Sequence, residues 1–180
     1  MVSATAQFDR FERAEFPLGY SPWATRAPGQ YFDAERAAHA VRVIETYLTI
    51  TGGPRAGEPF RLEEWQRTLL ATIYGWRNAD GSRRYRRIYV EVARGNGKSA
   101  LAAAIACYEL ICNEEIGKEI YTIAGNEEQA RIIFCDAARM IGASPELSAR
   151  AEVMKSVVWV AKTSSKLECL TSKPSTKHGL

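Results

Sequence analysis

Six consecutive residues, Arg94-Gly95-Asn96-Gly97-Lys98-Ser99, combine two glycines, a lysine and a hydroxyl in an order suited to gripping a polyphosphate. Glycines let the backbone turn so that successive N–H groups point at phosphate oxygens. A helix opening at the lysine adds the partial positive charge of its N-terminus. In that arrangement Lys98 reaches the β- and γ-phosphates of a nucleotide and the Ser99 hydroxyl ligates Mg²⁺. The usual form of such a loop is G-x-x-x-x-G-K-[ST] between a strand and a helix, and here Val92 occupies the place of the first glycine. Gly-Lys-Ser alone recurs by chance, so the flanks carry the reading: an apolar run leads in and an alanine-rich segment leads out. The plain alternative is a glycine-rich turn with an exposed lysine. Arg94 is a second cation in the loop, and two readings of it stand: a contact to the γ-phosphate, or a solvated charge.

The elements that must position this loop are legible on both sides. Arg86 to Val92 has the β-branched and aromatic character of a strand, and a helix is expected from Lys98 to about Asn113. Glu119 to Ala124 reads as a second strand. Asn126 caps a further helix to about Ile141, with Gln129 at the capping-box position. Ser144-Pro145 opens a short helix, and Val157–Ala161 and Lys166–Thr171 read as a strand hairpin. Upstream, residues 1–30 read as an irregular arm rich in proline and aromatics. Asp33 caps a helix to about Thr49 with Ala37, Val41, Ile44 and Leu48 on one face. The glycine-rich run 51–57 breaks the chain, and a helix from about Leu62 to Tyr74 carries Trp65, Leu69 and Ile73 at four-residue spacing. Asp80-Gly81 marks a turn. Strands alternating with helices through short connections imply an α/β fold on a mainly parallel sheet.

Composition sets outer bounds. A chain of 180 residues, 46% hydrophobic and 25% charged, matches an ordinary globular domain able to bury its own core. The net charge of +3 is too small to argue for nucleic acid by itself. Met1 to Phe16 has no apolar export signal, and the apolar run from Ala100 to Cys112 is broken by Glu109 and too short to span a bilayer. Cys107, Cys112, Cys135 and Cys169 form no C-x-x-C pair and read as reduced thiols. His39 and His178 have no metal-ligand partner at a workable spacing.

At the loop the residues resemble a known family, the large subunit of tailed-phage terminases, in its HK97-like branch. Those DNA-packaging proteins carry a deviant loop of the form small-Arg-x-x-Gly-Lys-Ser/Thr, which Ala93 to Ser99 fits position by position. Pro59-Phe60-Arg61-Leu62-Glu63-Glu64-Trp65-Gln66 resembles the family's adenine-binding segment. Tyr121 to Gly125 followed by Glu128-Gln129-Ala130 resembles its second strand and next helix, and Thr176 to Leu180 resembles the stretch ahead of its Walker B strand. The resemblance implies an incomplete P-loop NTPase of the ASCE/RecA-like kind, an α/β fold with a mainly parallel sheet flanked by helices. Residues 1–57 would form an N-terminal arm and helix, and 58–180 a partial ATPase domain without Walker B or the family's nuclease domain.

The implied function is the ATP-binding portion of a viral motor that couples ATP hydrolysis to translocation of double-stranded DNA into a procapsid. Its cofactors would be ATP and Mg²⁺. Its partners would be double-stranded DNA, the portal protein, the small terminase subunit and further copies in a ring. Its place would be the host cytoplasm, with no membrane. Arg94 and Lys98 are the catalytic candidates. Gly95, Asn96, Gly97, Lys98 and Ser99 would hold phosphate and metal, and Phe60, Trp65 and Gln66 the base. A glutamine amide carries both a donor and an acceptor for an adenine edge, and an aromatic ring stacks on the base. The competing roles are core packing for Trp65, a surface position for Gln66 and a helix cap for Gln129. A helicase-like ATPase, a small-molecule kinase and a non-catalytic assembly piece are the alternative functions.

A working ATPase also needs a strand-terminal acid for Mg²⁺ and a carboxylate to activate water. Ile132 to Asp136 has the right composition, but its apolar residues follow a helical period, so Asp136 is rejected. Ser82-Arg83-Arg84-Tyr85-Arg86-Arg87 is the densest basic run, either a solvated face or a contact to DNA phosphates or a neighbouring subunit. An arginine acting in trans cannot be assigned from these residues. The chain alone is expected to bind nucleotide weakly without turnover. Robust ATP hydrolysis that disappears in Lys98→Ala would refute this.

Overall fold

The computed structural model describes residues 21–112 and 115–170. These fall into two compact units, one made of residues up to Thr46 together with Phe60–Val92, the other of Tyr47–Pro59 with Ala93 onward. The arm up to residue 20, Asn113 and the block Thr176–Leu180 lie outside the described residues.

In the first unit, β1 (Tyr31–Phe32) leads into helix α1 (Ala34–Tyr47), and helix α2 (Glu64–Gly75) runs directly into β2 (Trp76–Arg77). Asp33 starts α1 as expected, its Oδ1 accepting from Arg36 N–H at 3.0 Å. Ala37, Val41, Ile44 and Leu48 are all buried, so the sequence periodicity identified the core face of α1. The two short strands pair antiparallel, Phe32 opposite Trp76. Around them Trp23 meets Trp76 edge-on at 4.6 Å, and Phe32 lies 5.6 and 5.8 Å from the two indoles. Glu45 on α1 accepts from Leu62 N–H at 3.0 Å and from Arg67 Nη2 at 2.7 Å, tying the start of α2 to α1.

In the second unit, α3 (Lys98–Cys107) continues through a π-helical turn over Tyr108–Cys112. There follow β3 (Glu119–Ile123), α4 (Glu127–Ala143), α5 (Pro145–Ser148), β4 (Glu152–Val153), β5 (Val157–Val160) and β6 (Ser165–Leu170). The strands form one sheet in the order β3-β6-β5-β4, with β3 and β6 parallel and the other two pairings antiparallel. The α/β class holds, and the sheet of the described residues is mixed. Alanines 103, 104 and 106 of α3 and Ala130 and Ala137 of α4 are buried, and small side chains let the two helices approach closely. Cys107 Sγ donates to Ala137 O at 3.5 Å between them. Burial pushes the Cys107 thiol far above its ordinary range, which leaves it a core residue rather than a nucleophile. Val158, Val160 and Leu167 complete the core under α4. On the other face Tyr121 and Ile123 remain exposed beside an ion cluster in which Lys166 meets Glu119 at 3.4 Å and Glu168 at 3.3 Å.

Two local expectations need correction. Arg86 to Val92 is not a strand among the described residues, and Tyr89 is 87% exposed. β-branched composition favours an extended chain, but a strand exists only when a neighbour supplies hydrogen bonds. The inward face of α2 is Gln66, Leu70, Ile73 and Tyr74, turned from the expected Trp65–Leu69–Ile73 stripe, and Trp65 is half-buried. Short strands β1, β2 and β4 carry too few residues to show a period. No helix among the described residues is long and apolar enough to cross a membrane.

Two glycines give a stability test. A Cβ on Gly75 would overlap the Phe32 ring, whose Cδ2 and Cζ would stand 2.9 Å away, whereas one on Gly142 meets open space. Gly75→Ala should lower stability by about 1–3 kcal/mol through overpacking. Gly142→Ala in the last turn of α4 should raise it by up to about 1 kcal/mol by restricting the unfolded chain. Urea unfolding midpoints moving in opposite directions check both.

Candidate functional site

The loop before α3 takes the conformation its glycines permit. Gly95 has φ +85° and Gly97 φ +70° with ψ 18°, both in the left-handed region that side chains avoid. Gly97 is the N-cap residue of α3, and its carbonyl accepts the first helical bond, from Leu101 N–H at 2.9 Å. Lacking a side chain, it makes no cap hydrogen bond, and the first turn of α3 holds no acidic residue. No side chain of the N-cap residue occupies that end of the helix, and the helix dipole is directed there. Asn96 Nδ2 donates to Ala93 O at 3.3 Å, closing the loop on itself. Arg94 through Ser99 are all exposed, Lys98 and Ser99 in the first turn of α3.

This arrangement suits an anion with several oxygens. It also fits Mg²⁺ brought by a nucleotide: an exposed hydroxyl at Ser99 can supply one oxygen ligand, and Mg²⁺ takes the rest from phosphates and water. Among the described residues no three acidic, histidine or cysteine side chains gather as a metal cluster. Asp136 sits on α4, its Oδ1 accepting from Thr51 Oγ1 at 3.2 Å and facing Arg139 at 3.4 Å, in keeping with its rejection as a strand-terminal acid. A groove of about 490 Å³ runs beside β3, lined by Ala102, Ile105 and Ala106 of α3, Ile120 and Thr122 of β3 and Ile133 of α4. None of the expected site residues lines it.

The proposed base-binding residues belong to the first unit, and the phosphate loop, from Ala93 onward, to the second. Phe60 is 5% exposed and packed into the core, Trp65 is half-buried, and Gln66 is 5% exposed rather than a surface glutamine. Gln66 Oε1 accepts from Glu63 N–H at 2.9 Å, closing a capping box at the start of α2. The Glu63-x-x-Gln66 spacing was the sequence signal for this box, obscured because glutamate is not among the preferred N-cap residues. At α4 the cap is Asn126, whose Oδ1 accepts from Gln129 N–H at 2.8 Å.

The basic run divides in two. Arg84 stacks 4.9 Å over Trp76 and 4.9 Å over Tyr85, and donates to Pro22 O at 2.8 Å and Thr25 O at 2.7 Å. Arg83 lies 5.3 Å over the Tyr74 ring. Both arginines fasten the first unit, while Arg86 and Arg87 are exposed.

A left-handed glycine turn leading into a helix of an α/β domain is a place where an anion can bind. Residues 64–180 match the family model of the terminase large subunit, ATPase domain, and the chain belongs to that family. It is 26% identical over 155 residues to the terminase large subunit of Enterobacteria phage HK97, across 81% of this chain and 28% of that protein. The crystal structure of the HK97 bacteriophage large terminase superposes with a TM-score of 0.66 at 24% identity, over 81% of this chain and 29% of that one, which shows a shared fold. The chain thus spans less than a third of the relatives it matches.

Gly97→Ala tests the loop. A Cβ at φ +70° costs about 1–2 kcal/mol of left-handed strain, which should weaken nucleotide binding about 5- to 30-fold. A Gly97→Ala protein binding ATP as tightly as the native chain would contradict a role for this turn.

Proposed function

We propose that this chain is the ATP-binding portion of a DNA-packaging motor, the motor coupling ATP hydrolysis to movement of double-stranded DNA into a procapsid. The observation that carries the reading is the left-handed, side-chain-free N-cap Gly97, set between Gly95 and Lys98 at the N-terminus of α3, where a polyphosphate would meet the helix dipole. Membership of the terminase family supplies the motor context.

In this reading the N–H groups of Gly95 to Lys98 surround phosphate oxygens and Lys98 neutralises the β- and γ-phosphates. Ser99 Oγ ligates Mg²⁺, which when bound screens the charge of the phosphate oxygens. Arg94 meets the γ-phosphate. Asn96 braces the loop through Ala93 O. Phe60, Trp65 and Gln66 serve the base, with half-buried Trp65 the better placed of the two aromatics to stack and Phe60 the core residue behind the segment. Double-stranded DNA, the portal protein, the small terminase subunit and neighbouring copies in a ring are the partners, in the host cytoplasm. Exposed Arg86 and Arg87 are the cations of the basic run left to meet phosphate or another subunit.

Titration calorimetry with a non-hydrolysable ATP analogue and Mg²⁺ tests the site. Lys98→Ala should weaken binding at least about tenfold, as expected for a charge-assisted contact of about 1.5–3 kcal/mol, with the circular dichroism spectrum unchanged. Equal affinity in both proteins would remove the phosphate loop from the reading and favour a non-catalytic assembly piece.

A further inference from the structure

The strand β3 is paired on one side. Lys166 N–H donates to Lys118 O at 2.8 Å, and successive residues of a strand turn their N–H and C=O to opposite sides. Lys118, Ile120 and Thr122 therefore face β6, while Glu119, Tyr121 and Ile123 direct their backbone groups away from it. Among the described residues no strand pairs with β3 on that side. Such a row of N–H and C=O groups is a template for one more strand.

The groove beside β3 lies along this edge, lined by Tyr121 and Ile123 and walled by Ala102, Ile105 and Ala106 of α3. Thr122 also lines it, and although this residue is 6% exposed its Oγ1 has no hydrogen-bond partner. A buried hydroxyl left so is costly, and a polar group on an occupant would relieve it. Because α3 is itself a wall, the groove admits a single extended segment. A sheet edge bringing its own helix layer, such as β3 of a second copy, would meet that helix first. One end of the groove carries Glu109, Glu115 and Glu119 against Lys118, whose ammonium is held by Glu109 O, so that end favours a cation.

We propose that the β3 groove is a strand-docking site for an extended peptide segment of a partner protein, apolar at alternate positions and carrying a cation at the end beside Glu115. The segment pairs with the backbone of Glu119, Tyr121 and Ile123 and lays its apolar face on α3, so main-chain bonds give affinity and the alternate side chains give selectivity.

Amide exchange followed by NMR on the full chain, with the heptapeptide Lys-Val-Thr-Val-Thr-Val-Thr as probe, tests this. In the free protein the amides of Tyr121 and Ile123 should exchange at least about tenfold faster than those of Ile120 and Thr122, which are bonded to β6. The peptide should bind saturably and slow the first pair, whereas its fully N-methylated form, which has no N–H to donate, should not bind. Ile123→Pro removes one edge donor, leaves the bonds to β6 in place and should weaken the peptide about fivefold. Glu115→Lys should weaken it about two- to fivefold, as for an exposed ion pair. Slow exchange at Tyr121 and Ile123 in the free chain, no saturable peptide binding, equal binding of the N-methylated peptide, or affinity unmoved by Ile123→Pro would each overturn the proposal. A concentration-dependent dimer in sedimentation that protects the same two amides would give the edge to a second copy, and would overturn it as well.

Discussion

A helix whose N-cap residue carries no side chain is the constraint around which the second unit is arranged. Helix starts carry N–H groups that need partners. At α3 the cap residue is Gly97, which offers none, and the turn before it is left-handed. Such a start is tolerable only where the rest of the helix is firmly held. The body of α3 meets that need with buried Leu101, Ala103, Ala104 and Cys107, packed against α4. The packing anchors the helix behind its glycine turn.

Three other helices sharpen the contrast. α1 begins at Asp33 and α4 at Asn126, and in each case a side-chain oxygen takes up a first-turn N–H. α2 begins with a reciprocal pair, Glu63 and Gln66, and is further tied by Glu45 to Leu62 N–H and Arg67. These three starts consume their own polar groups and are structurally closed.

Charge follows the same division. Arginines 83 and 84 lie in the most basic run of the sequence, yet their guanidinium groups lie over Tyr74, Trp76 and Tyr85, and Arg84 also caps the carbonyls of Pro22 and Thr25. A planar cation on an indole face is packing as much as electrostatics. Arg86 and Arg87, two and three residues beyond Arg84, have no such platform and stay in water. The run that reads as one basic patch thus performs two different tasks.

By itself the sequence determined what depends on neighbours along the chain. Glycines 95 and 97 required left-handed backbone, Asp33 and Asn126 stopped the chain and started helices, and the period of α1 chose its buried face. The order of these features around Lys98 was enough to reach the α/β class and the family. Only the tertiary structure decided what depends on neighbours across space. Whether 86–92 becomes a strand rests on a ladder partner that composition cannot supply. Which stripe of α2 turns inward rests on what packs against it, so Gln66 is buried and Trp65 half-exposed, the reverse of the spacing-based expectation. The direction of the Gln66 amide rests on a single 2.9 Å bond to Glu63 N–H. Local backbone preference is written in residue types, whereas pairing, burial and hydrogen-bond direction are set by contacts that exist only once the chain has folded.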